Sequence, residues 1–318
     1  MSFKKNIQRT GGIRVLFNYI RYNIFLSPLM NFLLLGSTKK SLELIRLVIQ
    51  YKVQKRLKQE FKPILNSNRF DFIDSDEKNY NIEGMPVWFC WLQGIDQAPE
   101  LVKKCLQSLS KNLSSNQTIY LITSDNYGDY VKMPEFLISK WEKGVISKTH
   151  FSDIMRLYLL YSHGGIWVDS TVYFSSKIPD YVLNSDLFLF QNLKPGLNGS
   201  VLRVSSWFIK SKPKNIIIEE SIILIEAYWA KKNFLVDYHL VHHFISISFE
   251  KNLEELKRMP RVPNSLSHIL LLSMNEEFLQ SSFDFWMNII FCHKLSNKID
   301  KPLKSSKYTY LDHILKKK

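Results

Sequence analysis

The sequence predicts an α/β protein with a mostly parallel central sheet, an N-terminal helical hairpin and a helical C-terminal part. Three observations predict it. Short apolar runs ending in Gly or Asp alternate with segments of helical spacing between about residues 86 and 190, the pattern of a sheet covered on both faces. The first 62 residues are basic, aromatic-rich and helix-prone, and after Trp207 the chain is a succession of apolar stretches at helical spacing. At 318 residues, 45% hydrophobic and 14% aromatic, the chain can bury a full core, which excludes a disordered protein.

Residues 1–62 read as two helices parted at "LGSTKKSLE", with Gly36 stopping the first and Ser37 or Ser41 capping the second. Residues 63–85 are polar and turn-rich, a connector, and 86–318 form the main domain. There "PVWFCWLQG" is a strand, "APELVKKCLQSLSKN" a helix, "TIYLITSD" a strand and "PEFLISKWEKG" a helix with Pro at its start and Gly at its end. "SDIMRLYLLYSHGG" is a helix capped by Ser152 and stopped by Gly164. "IWVDSTVYF" and "DLFLFQN" are strands, and "KNIIIEESIILIEAYWAKK", "YHLVHHFISISFEK", "NSLSHILLLSMNEEFLQ" and "YTYLDHILKKK" are helices.

The net charge of +14 is concentrated at the N-terminus, where residues 1–60 hold twelve Lys and Arg against Glu43 and Glu60. Interleaved are Leu16, Phe17, Tyr19, Ile20, Tyr22, Phe25, Leu26, Leu29, Phe32 and Leu33. Beside anionic lipid such a segment gains about 1 kcal/mol per cation, plus the burial of its apolar face. An anionic membrane surface is therefore an expected partner; the alternative is a hairpin that packs on the main domain and turns its lysines to water. No motif supports nucleic acid as a partner. "IFLSPLMNFLLLG" is broken by Pro28 and Asn31 and is shorter than the roughly 20 residues a spanning helix needs, and no cleavable signal peptide is evident. Cys90, Cys105 and Cys292 are odd in number and lack metal spacing, which points to a reducing compartment without a disulfide framework.

The chemistry concentrates in "YSHGGIWVDSTVYF". Gly164 and Gly165 permit a sharp helix-to-strand turn, and Asp169 closes the apolar run Ile166, Trp167, Val168 at the carboxyl edge of a sheet, where ligands bind in α/β folds. A carboxylate there can coordinate a hard cation, accept from a sugar hydroxyl, or simply make a turn. Asp153 and Arg156 lie three apart on the preceding helix, and the apolar residues around them make that helix mostly buried, so the two charges need partners.

The string "FSDIMRLYLLYSHGGIWVDSTVYF" resembles the signature of the capsular polysaccharide synthesis protein family, glycosyltransferases of the GT-A type. More distantly it is similar to glycosyltransferase family 32 and to the catalytic domain of the clostridial glucosylating toxins. "PVWFCWLQGIDQAPELVKKCLQSL", "SSWFIKSKPKNIIIEESIILIEAYW" and "CHKLSNK" extend the resemblance from about Val87 to Lys298, and the hairpin piece "GSTKKSLELIRL" shares it. The resemblance implies a GT-A nucleotide-sugar-binding fold. It implies that Trp91 stacks on the nucleotide base, Asp153 and Arg156 hold the donor sugar, Trp167 lies beside the ribose, and Asp169 is the first acid of an Asp-x-Asp-like motif. Gln93, Gly165, Thr171 and Trp207 complete the implied donor site, with Asp169, Asp153 and Arg156 expected to act in catalysis.

Thr171 stands where family 32 has the motif's second Asp, and a hydroxyl is a weaker, neutral ligand, so Mn²⁺ or Mg²⁺ dependence is left open. The leaving diphosphate must be neutralised by metal or by cations. "HKLSNKIDK" offers His293, Lys294, Lys298 and Lys301. By resemblance His293, Lys294 and Lys298 face the diphosphate, with Asp169 and His293 as metal ligands; the alternative is a solvated basic turn. "SSWF" (205–208) is a further candidate, and "DYHLVHH" places His239 and His243 on one helical face near Asp237, Tyr238 and His242. The resulting expectation is a cytoplasmic transferase on the inner face of the plasma membrane, moving a hexose with retention from UDP- or GDP-hexose to a lipid-linked oligosaccharide in capsule or exopolysaccharide assembly. The rival expectation is a catalytically inactive scaffold of such an assembly.

Overall fold

The computed structural model describes residues 18–24, 26–66, 80–193, 200–298 and 307–316. The hairpin's first seventeen residues, Phe25, most of the connector and Lys301 lie outside the described residues. Helices α1 (Leu26–Leu35) and α2 (Lys39–Phe61) are parted by Gly36 at φ +73°. The cap of α2 is Thr38, whose hydroxyl accepts from the Ser41 amide, instead of Ser37 or Ser41; Ser41 uses its own hydroxyl on the Leu35 carbonyl.

The main sheet combines β1 (Met85–Cys90), β2 (Gln117–Ile122), β3 (Gly165–Val168), β5 (Leu187–Gln191) and β6 (Val204–Ser211) in the order β2-β1-β3-β6-β5. β1 is parallel to β2 and β3, and β6 runs antiparallel between β3 and β5, so four of the five strands share one direction. Between them lie α3 (Glu100–Lys111), α4 (Glu135–Glu142), α5 (Lys148–His163) and the single turn α6 (Asp180–Leu183). After the sheet come α7 (Ile216–Lys231), α8 (Leu240–Lys251), α9 (Leu253–Arg258), α10 (Asn264–Ser273), α11 (Gln280–Ile289) and α12 (Tyr310–Lys316). A ribbon of β4 (Val172–Phe174) and β7 (Cys292–Lys294) stands beside the sheet.

Side-chain alternation splits each central strand between two cores. Trp88, Trp167, Leu189 and Ile209 face a first core shared with α2, α4, α5, α7 and α8. Val87, Phe89, Val168, Phe190 and Phe208 face a second, with α3, Phe174 and Phe291. The lower half of α2 belongs to the first core: Val53, Leu57 and Phe61 are fully buried. The expected boundary at residue 62 is thus not a boundary of packing. Helix α1 contrasts with this, leaving Leu26, Leu33 and Leu34 71%, 74% and 79% exposed.

Four further expectations change. "IWVDSTVYF" is not one strand: it breaks at 169–171, where the Val172 amide donates to the Asp169 carbonyl at 3.0 Å, and β4 leaves to pair with β7. Ser147, not Ser152, caps α5, its hydroxyl accepting from the His150 amide. β6 lies where the chain was expected to turn helical; Ser205, Ser206 and Lys210 hide an eight-residue buried strand behind polar letters. "NSLSHILLLSMNEEFLQ" ends its helix at Ser273, and α11 starts afresh at Gln280.

The turn from α5 into β3 depends on Gly164 (φ +66°) and Gly165 (φ +84°). A Cβ on Gly165 would stand 2.2 Å from the Pro86 carbonyl oxygen of the neighbouring strand. Backbone against backbone has no room to yield. Gly165→Ala is expected to lower stability by about 2 kcal/mol or more; an unchanged denaturant midpoint would contradict this packing.

Candidate active site

Arg156 and Asp153 sit on the sheet-facing side of α5, 3% and 8% exposed. The Arg156 fork gathers three elements. Its Nη2 donates to Asp153 Oδ1 and stands 3.2 Å from Asp169 Oδ1 at the end of β3. Its Nη1 donates to the carbonyl of Ser206 on β6 and, at 3.0 Å, to the Ser206 hydroxyl. The guanidinium lies 4.7 Å from the Trp167 ring centroid, a cation over an aromatic face. The sequence reading brought Asp153, Arg156, Asp169 and the ring of Trp91 to one pocket, with Trp167 beside the ribose; the structure unites Asp153, Arg156, Trp167 and Asp169, and Trp91 stands apart with the second core.

Asp169 is fixed from every side. Its amide donates to the Trp207 carbonyl at 2.8 Å, continuing the β3–β6 ladder. Trp167 Nε1 donates to Oδ1 at 3.0 Å, and Lys294 Nζ donates to Oδ2 at 2.9 Å and to Thr171 Oγ1 at 2.8 Å. The β4–β7 pairing that sets Val172 opposite Lys294 delivers that ammonium. Burial pushes the Asp169 carboxyl up, but the Lys294 and Arg156 cations and the hydrogen bonds outweigh it and hold it below its ordinary value.

Beneath the charges lies a supporting layer. His242 Nε2 faces the Ser206 hydroxyl at 3.2 Å, and burial presses its pKa to about 3. Trp229 Nε1 donates to His150 Nε2 at 3.2 Å, and His150 Nδ1 stands 3.8 Å from Asp153 Oδ2. Residues 205–208 and 237–243 had been separate candidates, and the His242–Ser206 contact joins them. His150 and Trp229 were not foreseen; no local motif marks them. At the rim, exposed Tyr238 packs edge-on against His239, which packs against His242.

Other expected site residues stand elsewhere. Gly165 opens β3 at the end opposite Asp169 and is boxed in by Pro86, so it serves the backbone and not a donor sugar. Trp91 follows β1 at the same edge as Asp169, but its ring packs half-buried with the second core, and its Nε1 is covered without an acceptor. Gln93 is exposed in the turn after it, where the Gly94 amide donates to the Trp91 carbonyl at 2.9 Å. Trp207 is 6% exposed, stacked 4.5 Å from Phe190, with Nε1 donating to Asn264. Lys298 is exposed in the turn after β7.

His293 does not join Asp169. Alternation along β7 sends it to the side opposite Lys294, with its pairing partner Tyr173. It is fully buried with neither ring nitrogen hydrogen-bonded, and burial lowers its pKa to about 4. His239 and His243 do not make a metal face either. His239 caps α8, and His243 is fully buried 4.0 Å from Asp237. Among the described residues no group of three His, Cys, Asp or Glu is arranged to hold a metal. Asp169 itself fits a divalent ion poorly, because two cations already occupy its oxygens. Cys90, Cys105 and Cys292 are buried free thiols.

A carboxyl whose pKa falls on folding stabilises the fold above its unfolded pKa, and the contribution is lost as pH drops through the folded value. Acidification below about 4 is therefore expected to erode stability through Asp169, and Asp169→Asn to flatten that part of the curve. Denaturant midpoints from neutral to acid pH measure it; parallel curves for the two proteins would refute it.

The O-glycosyltransferase braB of Annulohypoxylon truncatum is 26% identical over 106 residues, 31% of this chain and 25% of that protein, so the chain spans about a quarter of this relative's length. Among solved structures, the PaToxG glycosyltransferase aligns over 65% of this chain and 83% of its own at 15% identity and TM-score 0.35. The apo-form glycosyltransferase GlyE of Streptococcus pneumoniae TIGR4 aligns over 73% of this chain and 59% of its own at 12% identity and TM-score 0.37. The pattern of the capsular polysaccharide synthesis proteins runs through residues 37–314, from the start of α2 to the last helix and across the whole Asp153–Arg156–Asp169–Lys294 cluster, and the chain belongs to that family.

Proposed function

We propose that this protein is a GT-A-type glycosyltransferase of capsular or exopolysaccharide synthesis, moving a hexose from a nucleotide diphosphate sugar to a lipid-linked glycan. The single observation that carries the reading is the charge cluster at the carboxyl edge of β3. A carboxylate with both oxygens engaged, a fixed guanidinium fork and an ammonium meet there in a partly open setting. Carboxylates accept from sugar hydroxyls; cations answer the charge that grows on a departing diphosphate. Family membership and the glycosyltransferase names of the similar proteins support the same chemistry.

In the proposed reaction the bond from the anomeric carbon to the diphosphate oxygen breaks, and the acceptor oxygen bonds to that carbon from the same face. The departing phosphate oxygen takes the acceptor's proton, so configuration is retained and no enzyme base is consumed. Asp169 and Asp153 orient the sugar through its hydroxyls, and Lys294 holds the developing phosphate charge. Lys298 lies close enough in sequence to extend that role.

An acceptor carried on lipid calls for a surface-bound enzyme. Helix α1 contains no charged residue and exposes Leu26, Met30, Leu33 and Leu34, while exposed Lys39 and Lys40 follow it at the start of α2 and exposed Lys55 and Arg56 lie farther along that helix. A groove of about 570 Å³ along α2 is lined by Tyr51, Lys55, Lys58 and Lys62, with Glu250 paired to Lys58 within it. Among the described residues no helix is long and apolar enough to cross a membrane. An apolar tip beside a basic flank suits peripheral insertion into the anionic inner face of the plasma membrane.

Two experiments test these readings. Asp169→Ala is expected to cost at least 100-fold in transfer from UDP- or GDP-hexose, about 2.7 kcal/mol or more, in a protein that still folds but melts lower than wild type because Arg156 and Lys294 lose a partner; wild-type turnover in the folded variant ends the assignment. Separately, the protein should float with vesicles rich in anionic lipid, release as salt rises, and lose flotation in the double variant Leu33→Glu, Leu34→Glu. Equal flotation of the double variant would remove the insertion model.

A further inference from the structure

We infer that Lys294 is a built-in substitute for the divalent cation at this site, so that the protein binds its nucleotide diphosphate without metal. The inference rests on the donor-site reading above and adds to it the identity of the counter-charge. In a metal-dependent site of this kind, the ion would bridge side-chain oxygens at the end of β3 and oxygens of the diphosphate. Here positions 169 and 171 are indeed bridged, but by an ammonium: Nζ lies 2.9 Å from Asp169 Oδ2 and 2.8 Å from Thr171 Oγ1. A divalent ion bonded to both oxygens at about 2.1–2.5 Å would have to stand in the space that Nζ fills.

The rest of the site reinforces this. Asp169 Oδ1 receives Trp167 Nε1 and faces Arg156 Nη2, so the second oxygen is also committed to donors. Thr171 supplies a neutral hydroxyl, which accepts from an ammonium readily and binds a hard cation weakly. The buried Asp153 is tied to Arg156, and His293 is turned to the far side of the ribbon. The ammonium is also well held. Lys294 ends β7, its position fixed by pairing with β4 and by the next residue's amide, which donates to the Thr171 carbonyl at 2.8 Å. Its side chain remains 20% exposed. An ammonium has three N–H donors; two are directed at Asp169 and Thr171, and the third direction serves a phosphate oxygen. A cation carried on the chain costs no metal uptake and is in place before the donor arrives.

The experiment is calorimetric titration of the full chain with UDP and with GDP, in EDTA and in excess Mn²⁺. The better-bound nucleotide is expected to keep its affinity within about twofold between the two conditions. Lys294→Met should weaken it about tenfold to a hundredfold, the range for losing a charge-assisted hydrogen bond, whereas Lys294→Arg should retain most of it. Binding that vanishes in EDTA and returns with Mn²⁺ overturns the inference and leaves the donor-site reading standing. So does a folded Lys294→Met protein that binds as tightly as wild type. Should neither nucleotide bind in either condition, the donor-site reading itself fails and takes this inference with it. The EDTA comparison uses wild-type protein alone, so it decides the matter even if Lys294→Met does not fold.

Discussion

The structure turns on one buried guanidinium. Arg156, on α5, reaches β3 through Asp169 and β6 through Ser206 while tied to Asp153 on its own helix. A charge at 3% exposure is tolerable only if its donors are nearly all used, and the planar five-donor fork of a guanidinium reaches these separate acceptors at fixed angles, which a flexible, strongly hydrated ammonium does not. The fork therefore imposes geometry: it sets how far α5 stands from the sheet, and it aims the Asp169 carboxylate. Trp167 below it completes the constraint, since its indole both underlies the guanidinium and donates to the same carboxylate.

A second constraint follows from the break after Val168. If β3 had run on through Phe174, Asp169 and Thr171 would lie within one extended strand, and the ribbon that carries Lys294 would have no partner. The turn at 169–171 releases β4 from the main sheet, and β4 recruits β7 across more than a hundred residues of chain. Position 294 is thereby built into the same few ångströms as position 169. The site is thus assembled by strand pairing.

This explains what was legible in the sequence and what was not. The strand–helix alternation and the glycine pair were readable because they are local: an apolar run, a cap, a positive φ. Asp153 and Arg156 were readable because charges three apart on an otherwise apolar helix demand partners. Ser206 was quoted for its neighbourhood but not for its strand, because a central strand that carries Ser, Ser and Lys loses the apolar signature while still being buried on both faces. His293 was misplaced for the opposite reason. Its neighbour Lys294 does reach Asp169, but along a strand adjacent residues point apart, and a stretch read as a turn conceals that alternation. Trp91 shows the same parity rule: it shares the edge with Asp169 but sides with Phe89 and the second core.

The charge balance of the cluster gives it a resting state suited to an anionic ligand. Two carboxylates, Asp153 and Asp169, face two cations, Arg156 and Lys294, so the unliganded site is neutral and needs no counter-ion. Its members are not equivalent. Arg156 is locked beneath the sheet edge, whereas Lys294 and Asp169 remain 20% and 24% exposed. An arriving phosphate oxygen can reach the ammonium without breaking the buried pair, and at about 4 Å that attraction is on the order of 4 kcal/mol in a partly solvated setting. In the proposed reaction the third N–H of Lys294 answers the phosphate while the other two keep Asp169 Oδ2 and Thr171 Oγ1 in place. Under that proposal the diphosphate meets a cation already in place, and the Arg156 fork holds Asp169 where β3 ends.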